Sequence, residues 1–300
     1  MKKSNRSIPS TVWKVVTFAL FAIFSAILLY LFFWTLTASV KTATDFNFYP
    51  ISLTPKEDDW QFGNYIKVFT GLTISVVKPG VGTLEYSFAL MFAYSLLYAL
   101  GCTVVTILSQ AVCGYIFAKY KFPCKKILYS AAMVAMVIPA IGALASELEI
   151  MKAIGFYDNI WALMIMKAGF GGMNFLIFYT VFRSIPDDFV EAAELDGASQ
   201  LRIMMTIMLP MAKATIMIFA LNSFIGYWND FSVNITYLPS TPLAAYAIYY
   251  FQNSTTTAIA LGGAPWVLCS SIIFCLPVLL LFLIFKNKML ANLNFGGLKE

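Results

Sequence analysis

EAAELDGASQLRIMMTIMLP, Glu191–Pro210, is a compact segment with a polar head, set between two long apolar stretches. Glu191, Ala192, Ala193, Glu194 and Leu195 are strong helix formers. Gly197, which tolerates unusual dihedrals, ends or breaks that helix. Ser199 can cap a second helix, Gln200–Met208, that stops near Pro210. Just upstream, the IPDD run at Ile185–Asp188 supplies a proline stop and an acidic helix start, where carboxylates meet the positive end of the helix dipole. The segment therefore predicts a short helix–turn–helix, and its flanks predict that it lies along the face of a membrane.

Those flanks belong to an unusually oily chain. Of 300 residues, 60% are hydrophobic and only 12% are charged. A hydrocarbon core of about 30 Å takes roughly twenty apolar residues in a helix. Six stretches are long enough: Val12–Leu36, Met91–Ile116, Ile127–Ala145, Ile160–Phe182, Ala214–Tyr237 and Trp266–Phe285. A soluble core could hide one such helix, but not six. The expected class is an all-α polytopic membrane protein with six transmembrane helices. The first stretch exceeds the apolar region of a secretory signal and lacks a small-residue cleavage site, so it is expected to be retained.

Charge placement predicts the orientation. Lys2, Lys3, Arg6 and Lys14 precede the first span, and Lys119, Lys121, Lys125 and Lys126 crowd the turn after the second. Arg183, Arg202 and Lys213 follow the fourth span, and Lys286, Lys288 and Lys299 follow the sixth. With alternating spans these all fall on one side, and basic residues stay in the cytoplasm. Both termini and the 191–210 segment are therefore expected inside, in a bacterial plasma (inner) membrane. The long first loop, with Glu57, Asp58 and Asp59, is expected outside. The net charge of +5 follows from topology, and nothing in it points to nucleic acid.

Catalytic sets are missing. The chain has no histidine, which removes every Ser-His and Cys-His nucleophile pair and a common metal ligand. Cys102, Cys113, Cys124, Cys269 and Cys275 form no CxxC pair and read as small buried hydrophobes. No phosphate-binding loop motif occurs; GFGGM, Gly169–Met173, lies inside a span and reads as close helix packing. No catalytic residue, metal or cofactor is expected on this chain, and the energy for uphill transport must come from a partner or an ion gradient.

The pattern E-A-A, three residues, G, nine residues, I-x-L-P resembles the signature loop of permease subunits from binding-protein-dependent ABC importers. Glu191, Ala192, Ala193, Gly197, Ile207, Leu209 and Pro210 all match it. ASVKTATDF after the first span, GYIFAKYKFPCKK after the second, YWNDF in the fifth and the tail KNKMLANLNFGGLKE are similar to the carbohydrate-uptake class, of the six-helix type related to the maltose permease. The resemblance implies a type I ABC importer permease fold. Residues 1–90 would be the tail, first helix and long outer loop, residues 91–286 a five-helix core carrying the coupling loop at 185–210, and residues 287–300 a cytoplasmic tail. It implies a sugar or oligosaccharide as cargo. The implied partners are a second homologous permease in a heterodimer, two copies of a cytoplasmic ATPase that bind ATP and Mg, and an extracytoplasmic solute-binding protein. Glu191 would offer its carboxylate to the ATPase, and Gly197 would permit the turn between the two docking helices. The rival expectation is a carrier driven by an ion gradient; it predicts inverted repeats and central acids, and the chain shows no internal repeat.

Charged residues at membrane depth are costly and mark function. Lys167 and Asp230 each lie about seven residues, roughly 10 Å, inside the same end of adjacent spans. They are expected to pair or to share a cavity, unless Lys167 snorkels outward and Asp230 bonds nearby backbone. Tyr227, Trp228, Asn229 and Asp230 combine rings with polar groups suited to a sugar, and with Lys167 they form the candidate substrate pathway. Pro139 and Pro277 are expected to bend their spans. LAAYAIYYFQ, Leu243–Gln252, reads as an interfacial amphipathic helix.

Overall fold

The computed structural model describes residues 10–56, 59–78, 80–138, 142–169, 172–253 and 263–293. Glu57, Asp58, Pro139, Lys2, Lys3, Arg6, Lys299 and the centre of the GFGGM run lie outside these residues, as does the side chain of Lys288. The chain falls into two compact units, residues 1–72 with 250–273, and residues 73–249 with 274–300.

In the first unit, helix α1 (Ser10–Ser39) is apolar throughout its middle and packs little of that surface against its own chain. It ends in a polar knot. Lys41 is fully buried; its Nζ donates to the carbonyls of Tyr49 and Ser52 at 2.9 and 2.7 Å and lies 3.6 Å from Asp45 Oδ2. Thr42 caps α2 (Ala43–Phe48), its hydroxyl accepting from Asp45 N at 3.1 Å. Asn64, opening α3 (Asn64–Gly71), donates to the carbonyls of Ser39 and Lys41 and accepts from the Trp266 indole at 3.2 Å. A Cβ on Gly71 would sit 2.5 Å from the Trp266 ring, so only glycine admits that ring. A buried ammonium survives because three acceptors replace its water.

The second unit begins with a feature the all-α expectation missed, an antiparallel ribbon of β1 (Thr73–Lys78) and β2 (Gly82–Ser87), in register from Thr73 opposite Ser87 to Lys78 opposite Gly82. Its β-branched Thr73, Ile74, Val76 and Val77 suit a strand, and Gly80 and Gly82, at φ +79° and +105°, suit the turn. From β2 the chain enters α4 (Phe88–Lys119), the longest helix described and the axis of this unit. A Cβ on Gly114 would lie 2.7 Å from Phe178 Cβ and 3.0 Å from Tyr179 N. The missing side chain is what lets α8 (Met173–Ser184) lie so close against α4.

Three of the six expected spans are single helices: α1, α4 and α15 (Gly263–Leu293), the last unbroken through Pro277. The other three are broken. The third divides into α5 (Lys125–Val137) and α6 (Leu144–Ala153), with Gly142 in the left-handed region. The fourth divides into α7 (Ile160–Met166) and α8, with Gly172 at φ +95°. Gly172, in the run expected to pack helices, instead stands at the start of α8. The fifth ends α12 (Lys213–Trp228) and restarts as α13 (Ser232–Thr236), where Asp230 Oδ1 accepts from Ser232 N, Ser232 Oγ and Val233 N. Periodicity misses such breaks because the residues on both sides stay apolar. Helix α14 (Ala244–Asn253) coincides with the expected amphipathic stretch; Ala244, Ala247 and Phe251 are buried while Tyr249 and Tyr250 are exposed. The cysteines divide: Cys102 and Cys269 are buried, Cys113 is half-buried, and Cys124 and Cys275 are exposed.

Candidate functional site

The Ile185–Pro210 segment folds as two short helices on a glycine hinge. Helix α9 (Asp188–Leu195) ends at Asp196, and Gly197 turns the chain at φ +78°. Ser199 caps α10 (Gln200–Ile203), its hydroxyl accepting from Arg202 N at 3.4 Å. The chain then widens into a π-helical turn, Met204–Met208, and closes with α11 (Leu209–Met211) before meeting α12 at a bend of 78°. The second helix expected over Gln200–Met208 is therefore part α and part π.

The seven signature positions face two ways. Ala193, with 8% of its surface exposed, packs with Ile203, Met204 and Met208 against Tyr115, Phe178 and Phe182 of α4 and α8. Ile207 and Leu209 lie partly buried on the same cluster. Ala193 thus makes room for its own chain's core. Glu191, Ala192, Gly197 and Pro210 are exposed. Beside them stand two bare leucines, Leu195 at 90% exposure and Leu201 at 67%. Neither leucine gains from water contact, so each leaves apolar surface uncovered.

The C-terminal end of α4 clasps this segment at two points. Lys119 Nζ donates to the Ile185 carbonyl at 2.5 Å and to Asp187 Oδ1 at 2.6 Å. The hydrogen bond and charge of Lys119 hold the Asp187 carboxyl below its ordinary value. One residue on, the Tyr120 hydroxyl donates to Gln200 Oε1 at 2.9 Å, and the Gln200 amide donates to Glu194 Oε1. None of these five side chains belongs to the signature. The run GYIFAKYK does show Lys119 and Tyr120 at the helix end, but their partners lie more than sixty residues away.

The structure splits the expected substrate residues. Lys167 Nζ lies 5.6 Å from the centre of the Tyr227 ring, and the Tyr227 hydroxyl is 2.8 Å from Thr106 Oγ1. Thr106 also donates to the Lys167 carbonyl at 3.3 Å, so Lys167, Tyr227 and Thr106 form one cluster. Asp230 belongs to the α13 cap, and it makes no ion pair with Lys167. The expected pair gives way to the alternative in which the acid bonds local backbone, because three donors already converge on its Oδ1. Asn229 is exposed and returns its amide to the Ile225 carbonyl. Trp228 is a core residue. It stacks between Phe224 and Phe274, and its indole donates to the Phe274 carbonyl at 2.9 Å. Sequence reasoning missed Thr106, although Thr103, Thr106 and Gln110 stand at helical spacing on a mostly apolar α4. Thr103 Oγ1 and Gln110 Oε1 are buried without a hydrogen-bond partner among the described residues.

A family model described as binding-protein-dependent transport system inner membrane component matches residues 110–290. The chain is similar to the diacetylchitobiose uptake system permease protein NgcG of Streptomyces coelicolor, 25% identical over 290 residues that cover 94% of this chain and 87% of that protein. It is also similar to the galactooligosaccharides transport system permease protein GanQ of Bacillus subtilis, 27% identical over 287 residues, 94% of each. Among solved structures, a bacterial ABC transporter involved in the import of the acidic polysaccharide alginate has a chain of the same fold. The TM-score is 0.74 at 18% identity, covering 94% of this chain and 98% of that one.

Proposed function

The chain belongs to the inner membrane components of binding-protein-dependent transport systems, and from that premise we propose that its cargo is a sugar or oligosaccharide and that its motor is a separate ATPase docked on residues 185–210. The fold is that of an ABC importer permease. The carbohydrate cargo is supported by the relatives, two of which serve the uptake of diacetylchitobiose and of galactooligosaccharides. An ion-gradient carrier has no comparable support.

The observation that carries the motor assignment is the two-faced segment itself. Ala193, Ile207 and Leu209 root it in the α4–α8 core, while Glu191, Ala192, Leu195 and Leu201 stay uncommitted. ATP and Mg bind the ATPase, and closure of its two copies pulls the segment. The clasp at Lys119 and Tyr120 passes that displacement to α4, and the bend at Ala212 passes it to α12. The permease works as a heterodimer with a homologous subunit, receives cargo from an extracytoplasmic binding protein, and keeps both termini in the cytoplasm. Cargo passes Lys167, Tyr227, Asn229 and Asp230, where a cation, a ring and amide and carboxylate oxygens can meet sugar hydroxyls. Trp228 shapes that wall from behind.

Glu191 is exposed and makes no ion pair among the described residues, so Glu191→Lys breaks no ion pair there. The variant should insert and assemble with its sister permease, yet hydrolyse ATP without importing sugar. Sugar uptake at the parent rate would defeat the docking assignment.

A further inference from the structure

We infer that the turn joining α4 to α5 is a binding site for the head group of an anionic phospholipid. A cavity of about 460 Å3 opens there, lined by Lys121, Phe122, Cys124, Lys125, Lys126 and Ile127. Its two kinds of wall match the two ends of a lipid: ammonium groups for a phosphodiester, and apolar side chains for the top of an acyl chain. The apolar wall continues along α5, where Ile127, Leu128, Val134 and Val137 are exposed on a helix too oily to face water.

Among the described residues these charges have one through-space answer, Asp187 beside Lys121. Lys121, Lys125 and Lys126 make no ion pair among the described residues. The nearby carboxylate of Asp187 is already held by Lys119 at 2.6 Å. Lys125 is partly desolvated and is repelled by both Arg183 and Lys121, and its ammonium donates to the neutral carbonyl of Tyr120 at 2.9 Å. Lys125 and Lys126 also occupy the first turn of α5, the end of a helix where cations are disfavoured. Cys124, which makes no side-chain cap, is held at φ +61°, a conformation that L residues seldom adopt. Like charges gathered at an unfavourable helix end favour an external anion, and the membrane surface supplies one wherever this turn meets it.

The positive-inside rule places lysines on this side but does not require a cavity or an apolar wall. A docking ATPase is the competing occupant. It is disfavoured because the cavity runs into the outward apolar face of α5, where a water-soluble partner would leave that face bare.

The test is native mass spectrometry of the full-length chain in neutral detergent doped with phosphatidylglycerol or phosphatidylcholine. Phosphatidylglycerol should be retained preferentially. Each single variant, Lys121→Gln, Lys125→Gln or Lys126→Gln, should weaken retention about fivefold, and the triple variant about a hundredfold. The triple Lys→Arg variant should keep the preference, and Lys213→Gln, a basic change elsewhere, should not alter it. The single variants carry the test if the triple variant inserts poorly. Unchanged selectivity in the glutamine variants would overturn the proposal. Displacement by inorganic phosphate as effective as by phosphatidylglycerol would make this a soluble-anion site instead. Loss of the preference once the ATPase is bound would give the lysines to that protein.

Discussion

Replacing Lys119 with methionine keeps the length and packing of the side chain and removes only its charge and donors. In the structure that side chain is 6% exposed and holds the Ile185 carbonyl at 2.5 Å, whereas its other partner, Asp187, is 73% exposed. Charge-assisted hydrogen bonds are worth about 1.5–3 kcal/mol, so the bond to Ile185 alone should cost about 2 kcal/mol when lost. At 1.4 kcal/mol per factor of ten, local opening of the α9 end becomes about thirtyfold more frequent. Hydrogen exchange of amides 188–196 in the detergent-solubilised complex reads this directly. The ATP hydrolysed per sugar imported in proteoliposomes should rise with it, while α4 and α8 exchange as before. Asp187→Asn provides the contrast. It removes a largely exposed partner and should leave exchange and coupling close to the parent. Because Lys119 holds the Asp187 carboxyl below its ordinary value of 3.8, the pair's small contribution is complete above that pH and fades only as pH falls through the lower folded value. Coupling should therefore be flat across neutral pH. Parental exchange in Lys119→Met, or equal damage from Asp187→Asn, would refute the clasp.

Three further outcomes follow from named contacts. At Gly197 an added Cβ meets nothing within 4 Å, so Gly197→Ala should cost only the left-handed backbone, about 1–2 kcal/mol; Gly197→Asn should couple better than Gly197→Ala, and equal activity would put the hinge elsewhere. Gly114→Ala forces a Cβ within 3.0 Å of both a side chain and backbone of α8 and should cost about 1–3 kcal/mol, seen as a lower Tm in detergent. Gly226→Ala, which meets open space, should not lower it. Lys41→Met leaves Asp45 buried without its cation and should cost about 3–5 kcal/mol. Its accumulation in membranes should fall sharply, and Lys41→Met with Asp45→Asn should recover part of it.

Both the sequence and the structure contribute to the account of the 185–210 segment, in different ways. Its helices, the Gly197 turn and the Ser199 cap are local events, set by propensity, dihedral freedom and one side-chain oxygen, and all three were legible in the letters. Which of its residues face inward was not. Glu191, Ala192 and Ala193 are consecutive, yet only Ala193 is buried, because burial depends on where α4 and α8 lie.

The six apolar stretches likewise announced a membrane protein, since hydrophobicity and length are properties of composition. Their breaks at Gly142, Gly172 and Asp230 required a positive φ or a cap that only the folded backbone reveals. Lys167 and Asp230 sit at matching depth, but depth along a span says nothing about rotation around it. The side chains turn to different partners, Tyr227 for the cation and the α13 amides for the acid. What the sequence by itself determined is everything that depends on neighbours along the chain: the apolar lengths, the charge asymmetry, the signature spacing and its turn. The tertiary structure decided which face of each element is spent on the core and which is left for a partner, because contacts such as Lys119 with Ile185 join residues whose separation in sequence carries no trace of their meeting in space.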